Sequence, residues 1–165
     1  MKLLLRTLTA FLLGLAITAA MLFLPAGTGH YPGAWLFMAL LFIPILIMGV
    51  VLLVKNPELL RKRLEMKERE KEQRSVVALS GLLLVGSFIV AGLDFRFGWS
   101  RVSSVVIIIA SIALLISYAL YAEVLRENVY LSRVVEVQQG QRVIDTGLYG
   151  IVRHPMYSAT LLLFL

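Results

Sequence analysis

Ala34-Trp-Leu-Phe-Met-Ala-Leu-Leu-Phe-Ile-Pro-Ile-Leu-Ile-Met-Gly-Val-Val-Leu-Leu-Val54 carries no charged side chain. A helix rises about 1.5 Å per residue and a bilayer's hydrocarbon core is about 30 Å thick, so a run of this length crosses it. In lipid every peptide group has to be satisfied within the protein, and a helix does that inside its own segment. The run is half of a larger region, because no Asp, Glu, Lys or Arg stands between Arg6 and Lys55. Pro25-Ala-Gly-Thr-Gly-His-Tyr-Pro-Gly33 interrupts that region and reads as a turn. Two spans result, at 3–24 and 34–54, with Pro44 placed to kink the second.

Working outward, uncharged runs at 75–93 and 102–122 give spans three and four, separated by Asp94-Phe-Arg-Phe-Gly-Trp-Ser-Arg101. A last apolar run, 155–165, is long enough for only about 15 Å of helix and reads as the start of a fifth span. The fold expected is all-α: a polytopic membrane helix bundle in a single transmembrane domain, 1–165. Composition agrees. The 165 residues are 59% hydrophobic and 16% charged, far more apolar than the roughly 45–50% of soluble domains, which excludes a water-soluble globule. Zero cysteines exclude disulfide scaffolds, thiolate metal sites and iron–sulfur clusters, and two histidines are too few for a histidine-rich metal centre, so no metal site is expected.

The net charge of +6 raises the question of nucleic acid, and its location answers it. Of sixteen Lys and Arg, fourteen fall on one side of the spans: Lys2, Arg6, eight residues within 55–74, and Arg126, Arg133, Arg142 and Arg153. Arg96 and Arg101 alone fall on the other. The positive-inside rule therefore puts the N-terminus and the 55–74 and 123–154 loops in the cytoplasm. The basic charge is topology, facing anionic lipid headgroups, and no nucleic-acid partner is implied. The alternative, that Met1 to His30 is a cleaved secretory signal, fits less well, since its apolar run exceeds a signal core and a second span follows at once.

Asn56-Pro-Glu-Leu-Leu-Arg-Lys-Arg-Leu64 has a capping residue, proline at the first helical position and Glu58 in the first turn, so it starts a helix. Leu60 and Leu64, one turn apart, offer a narrow apolar stripe to the headgroup layer. A solvated charged helix with internal pairs such as Glu68 and Lys71 is the competing reading.

Chemistry concentrates in 134–157. Alternating β-prone residues around Gln139-Gly140 lead through Gly147 and Gly150 into an apolar helix opening at Pro155. Pro155 suits the first helical position, which makes His154 the cap and leaves unsatisfied backbone N–H groups and a positive dipole end beside Arg153 and His154. Arg153 offers a fork for a carboxylate or phosphate, Tyr149 and Tyr157 offer ring faces, and Gly147 and Gly150 let backbone approach a ligand. Each has a plainer role when taken singly: Arg153 as a lipid-phosphate anchor, the tyrosines as interfacial belt residues, His154 as a capping group. Where span four leaves the membrane, Glu123, Arg126, Glu127 and Asn128 read as a solvated helix end with local pairs. Asp94 and Arg96 read as a pair, or as an anchor for Trp99 at the interface.

The run Gly147-Leu-Tyr-Gly-Ile-Val-Arg-His-Pro-Met-Tyr157 resembles the signature of the isoprenylcysteine carboxyl methyltransferase and phospholipid methyltransferase superfamily of integral membrane enzymes. Asn56 to Leu64, Leu93-Asp-Phe-Arg-Phe-Gly-Trp-Ser100 and Gln141-Arg-Val-Ile-Asp-Thr-Gly147 resemble segments of its bacterial members. The resemblance implies S-adenosylmethionine as methyl donor, bound at the cytoplasmic face of a bacterial or archaeal membrane. It implies a lipophilic or membrane-associated acceptor, foremost an isoprenylcysteine-type carboxylate, with phospholipid or small-thiol acceptors as alternatives. Arg153 and His154 would then be catalytic; Gly147, Tyr149, Gly150, His154, Pro155 and Tyr157 would hold the donor; Glu123, Glu127 and Asn128 would lie beside the substrate. It further implies a C-terminal stretch with Arg and paired Glu, which would lie beyond Leu165. Two rival classes are a sterol-reductase-like membrane enzyme using NADPH, which can carry a similar Arg-His-Pro motif, and a non-catalytic membrane scaffold.

Overall fold

The computed structural model describes residues 2–64, 71–128 and 144–164. Among them the regular structure is entirely helical: α1 (Lys2–Ala26), α2 (Pro32–Lys55), α3 (Pro57–Arg63), α4 (Lys71–Phe97), α5 (Ser104–Glu127), a 3₁₀ turn (Gly147–Gly150) and α6 (Pro155–Leu163). Arg133, Arg142, the alternation around Gln139-Gly140 and the pairing of Glu68 with Lys71 lie outside the described residues.

Four helices, α1, α2, α4 over Ser75–Phe97, and α5, are long and apolar enough to cross a membrane, so the chain is a membrane protein. Its surface says the same. Leu82 and Leu83 on α4 and Ile108, Ile109 and Ile112 on α5 are all more than half exposed, an apolar surface that water would not tolerate and lipid favours. Several hydroxyls in these spans close onto their own helices, as in Thr7 to the Leu3 carbonyl at 2.9 Å and Ser111 to that of Ile107 at 2.7 Å. Each such bond keeps a hydroxyl from being presented bare to hydrocarbon. α2 continues through Pro44.

α1 packs on α4 and α2, α2 on α5 and α3, and α5 on α6. At one end Leu22, Ala34, Met38 and Phe42 form a core closed by Phe88 and Ala91 of α4. The Tyr31 ring stacks on Phe95 at 4.0 Å there. At the other end Leu52, Leu59, Leu60 and Leu125 form a second core with Leu3, Leu64 and Tyr121. Arg6 ties α1 to that end by donating to the Leu64 carbonyl at 3.0 Å. The α1 start, α3, the end of α5 and the start of α6 thus share the end where the positive charges gather.

Three local expectations need correction. The Leu60 and Leu64 stripe faces protein instead of headgroups: Leu59 and Leu60 are buried against Leu52 and Leu125, because the Asn56 cap folds α3 back onto the ends of α2 and α5. That cap itself is as expected, the Asn56 Oδ1 accepting from the Leu59 N–H at 3.1 Å. Asp94 does not pair with Arg96. Its carboxylate accepts from the Ser100 N–H at 2.8 Å and the Ser100 hydroxyl at 2.7 Å, closing the loop after α4, while the Arg96 guanidinium lies over the Phe97 ring at 5.6 Å. The loop is also shorter than the charge pattern implies, since α4 runs on to Phe97 and α5 starts at Ser104.

α5 and α6 are joined by one buried polar contact, the Ser117 hydroxyl donating to the Ala159 carbonyl at 2.7 Å. Ser117→Ala removes that bond from an apolar seam. It is expected to cost about 0.5–1.5 kcal/mol, measured as a lower midpoint of detergent-induced unfolding. An unchanged midpoint would mean the bond contributes nothing.

Candidate functional site

The end of α5 and the turn before α6 are built around each other. Gly147 opens the 3₁₀ turn at φ 55°, a left-handed conformation that disfavours side chains. A Cβ there would also stand 2.9 Å from Cδ and 3.0 Å from Cγ of Glu127, so the carboxylate arm occupies the space a larger residue would need. Glu127 accepts a hydrogen bond from the Thr146 hydroxyl at 2.8 Å and pairs with Arg126 at 3.1 Å. One residue on, the Asn128 Nδ2 donates to the Tyr149 hydroxyl at 2.9 Å. Two side chains at the end of one helix therefore hold both ends of the turn.

Gly150 has an internal reason of its own, since a Cβ there would meet the Asp145 carbonyl at 2.8 Å. Gly147 thus lets the turn seat against Glu127, and Gly150 lets it close on itself. Glu123 takes no part in this contact. It is held by Arg126 through bonds of 2.6 and 2.9 Å, the local pairing expected of a helix end.

α6 begins at Pro155, which is buried, with His154 at the N-cap position. The His154 imidazole makes no capping hydrogen bond. Its carbonyl instead accepts from the Tyr157 and Ser158 N–H groups at 3.0 and 3.2 Å. The histidine caps by backbone, and its ring is turned to Tyr157, 5.5 Å between centroids. Arg153, His154 and Tyr157 are exposed, and among the described residues Arg153 has no ion pair. The structure therefore gathers the candidates in two groups along one turn: Gly147 and Tyr149 with Glu127 and Asn128, and His154 with Tyr157 beside Arg153.

Thr146 is the residue that sequence reasoning passes over. It precedes the left-handed glycine, and only the folded turn brings its hydroxyl to a helix nineteen residues earlier. Comparison with family models, with curated proteins and with solved structures finds no match for this chain.

Proposed function

From the resemblance of 147–157 to the methyltransferase superfamily and from the way the turn is held, we propose that this membrane protein is an S-adenosylmethionine-dependent methyltransferase, working at the cytoplasmic face on a lipophilic or membrane-associated acceptor. One observation carries the reading. The resemblance calls for Asn128 and its neighbours beside the 147–157 turn, residues nineteen or more positions apart in sequence, and the Asn128 to Tyr149 bond at 2.9 Å joins them.

The residues present fit the donor. It combines a carboxylate, a sulfonium cation and an adenine, and so calls for an anion site and aromatic faces. Exposed Arg153 and the N-terminus of α6, whose first N–H groups no His154 side chain occupies, suit the carboxylate. The Tyr157 and Tyr149 rings suit the cation or the base. When bound, S-adenosylmethionine supplies an activated methyl group. Arg153 and the helix end would fix the orientation of the ligand, and the Glu127 and Asn128 struts would keep the turn rigid enough to preserve alignment, the main source of rate in a displacement of this type.

A carboxylate acceptor is ionised at neutral pH and needs no base, which favours the isoprenylcysteine-type reaction. An amine acceptor has to lose a proton, and two of the three candidate groups are engaged: Glu123 with Arg126, and Glu127 with Arg126 and Thr146. His154 is exposed and is the group left for that task.

Titration calorimetry with S-adenosylhomocysteine on the membrane-reconstituted protein tests the reading. Arg153→Ala is expected to weaken binding about tenfold, the equivalent of one charge-assisted hydrogen bond. His154→Ala should weaken it less. Equal affinities for wild type and Arg153→Ala would refute the assignment, and thermal stabilisation by NADPH in place of the methyl donor would favour the reductase class.

A further inference from the structure

Arg63 ends α3 with its guanidinium carbon 5.2 Å from the centre of the Tyr121 ring. Its Nε and Nη2 are both sealed from solvent, and neither has a hydrogen-bond partner. An arginine is always protonated, so a charged group sits with two donors unmet, a costly condition in a buried setting. The tyrosine ring relieves part of that cost, but it accepts no hydrogen bond from either nitrogen. Nε and Nη2 form one edge of the guanidinium plane, with N–H bonds side by side, and that edge is shaped to take both oxygens of a carboxylate or phosphate.

The position of Tyr121 on α5 locates this edge. At about 100° per residue, Ser117, Val124 and Asn128 share one face, and Tyr118 and Leu125 share another about a quarter-turn away. The first face meets α6 and the turn, through Ser117 to Ala159 and Asn128 to Tyr149. The second meets α2 and α3, through the Tyr118 hydroxyl on the Leu41 carbonyl and Leu125 against Leu59 and Leu60. Tyr121 falls between the two. The Arg63 guanidinium above it therefore stands in the seam between α3 and the turn that opens α6. Among the described residues, the carboxylates of α3 and of the end of α5 are engaged elsewhere: Glu58 with Arg61, and Glu123 and Glu127 with Arg126.

We propose that the Nε–Nη2 edge of Arg63 is an oxyanion site, taking a carboxylate or a phosphate that enters along this seam. Arg63 as a whole is only partly buried, so the edge lies close to the surface from which an anion arrives. The anion has two possible sources: the phosphate of an anionic lipid headgroup at this membrane face, and the acid group of a soluble ligand. The site does not rest on the methyl-donor reading, although a donor carboxylate is one ligand it would accept.

The test uses the whole protein in nanodiscs, wild type against Arg63→Gln and Arg63→Lys, with folding checked by circular dichroism. Native mass spectrometry counts retained phosphatidylglycerol. Calorimetry in purely zwitterionic nanodiscs measures inorganic phosphate and S-adenosylhomocysteine. For at least one probe, Arg63→Gln is expected to bind about tenfold more weakly, the equivalent of one charge-assisted hydrogen bond. Arg63→Lys keeps the charge without the fork and should fall between, which also separates a lost site from a lost fold. Loss confined to phosphatidylglycerol identifies a lipid site, and loss of phosphate or S-adenosylhomocysteine a soluble-ligand site. If the wild type binds phosphatidylglycerol or phosphate through Arg63 but never S-adenosylhomocysteine, the methyl-donor reading fails and the oxyanion site stands. If S-adenosylhomocysteine binds and no probe distinguishes the variants from wild type, the oxyanion site is overturned and the donor reading stands. Wild type binding none of the three likewise overturns it.

Discussion

Gly92→Ala is expected to destabilise the protein by about 1–3 kcal/mol, and more if the helices cannot separate, the range for forcing extra carbon into a packed seam. A Cβ at this position would lie 2.5 Å from the Leu22 carbonyl, 3.1 Å from Pro25 Cβ and 3.2 Å from the Ala26 N–H nitrogen. The nearest obstacle is the backbone of α1, which cannot rotate away as a side chain would. Relief requires α4 to move off α1, and that movement would loosen the Tyr31 to Phe95 stack and the contacts of Phe88 and Ala91 with the core. In lipid, helices associate through such close backbone approach, because the bilayer already satisfies their apolar surface. Detergent-induced unfolding of the reconstituted protein measures the effect. Gly81→Ala is the control, since a Cβ there meets nothing within 4 Å. Equal midpoints for the two variants would show that α1 and α4 do not approach as described.

Gly147→Ala should act on the turn and leave the bundle standing. The left-handed backbone at φ 55° costs an alanine about 1–2 kcal/mol, and its methyl group would displace the Glu127 arm from Thr146. On the proposed function, S-adenosylhomocysteine affinity falls about tenfold or more, while the unfolding midpoint shifts less than in Gly92→Ala. Comparison with Glu127→Ala separates the two causes. The single variant Glu127→Ala removes the strut without changing φ, so any loss in Gly147→Ala beyond that of Glu127→Ala is assigned to backbone strain. Unaltered affinity in Gly147→Ala would mean that the turn does not shape a donor site.

The spans were readable because the bilayer imposes length and excludes charge, and both are linear properties of a sequence. Arg6 to Lys55 without a charge, Pro155 as a helix start and Asn56 as a cap each appear in the fold where the local pattern puts them. The site was readable as a cluster of residue types in 147–157, and Glu127 and Asn128 as a helix end. Their meeting was not legible from side-chain character alone, because nothing in Thr146 or Asn128 by itself specifies a partner across nineteen or more residues. Asp94 shows the same limit: Arg96 is the nearer charge in sequence, yet Ser100 is the partner that the loop delivers.

Sequence alone determined a helical membrane protein with its charge on one side, since hydrophobic length and charge asymmetry act on each segment independently. Tertiary structure decided which faces meet: α4 against α1, α3 folded under α2 and α5, the turn clasped by Glu127 and Asn128, and Arg63 set beside Tyr121 with two donors unmet. The physical reason is that helices apolar around most of their circumference present the same kinds of side chain to lipid and to one another. Which side packs is then settled by shape and by a few polar contacts that only the assembled bundle brings within reach.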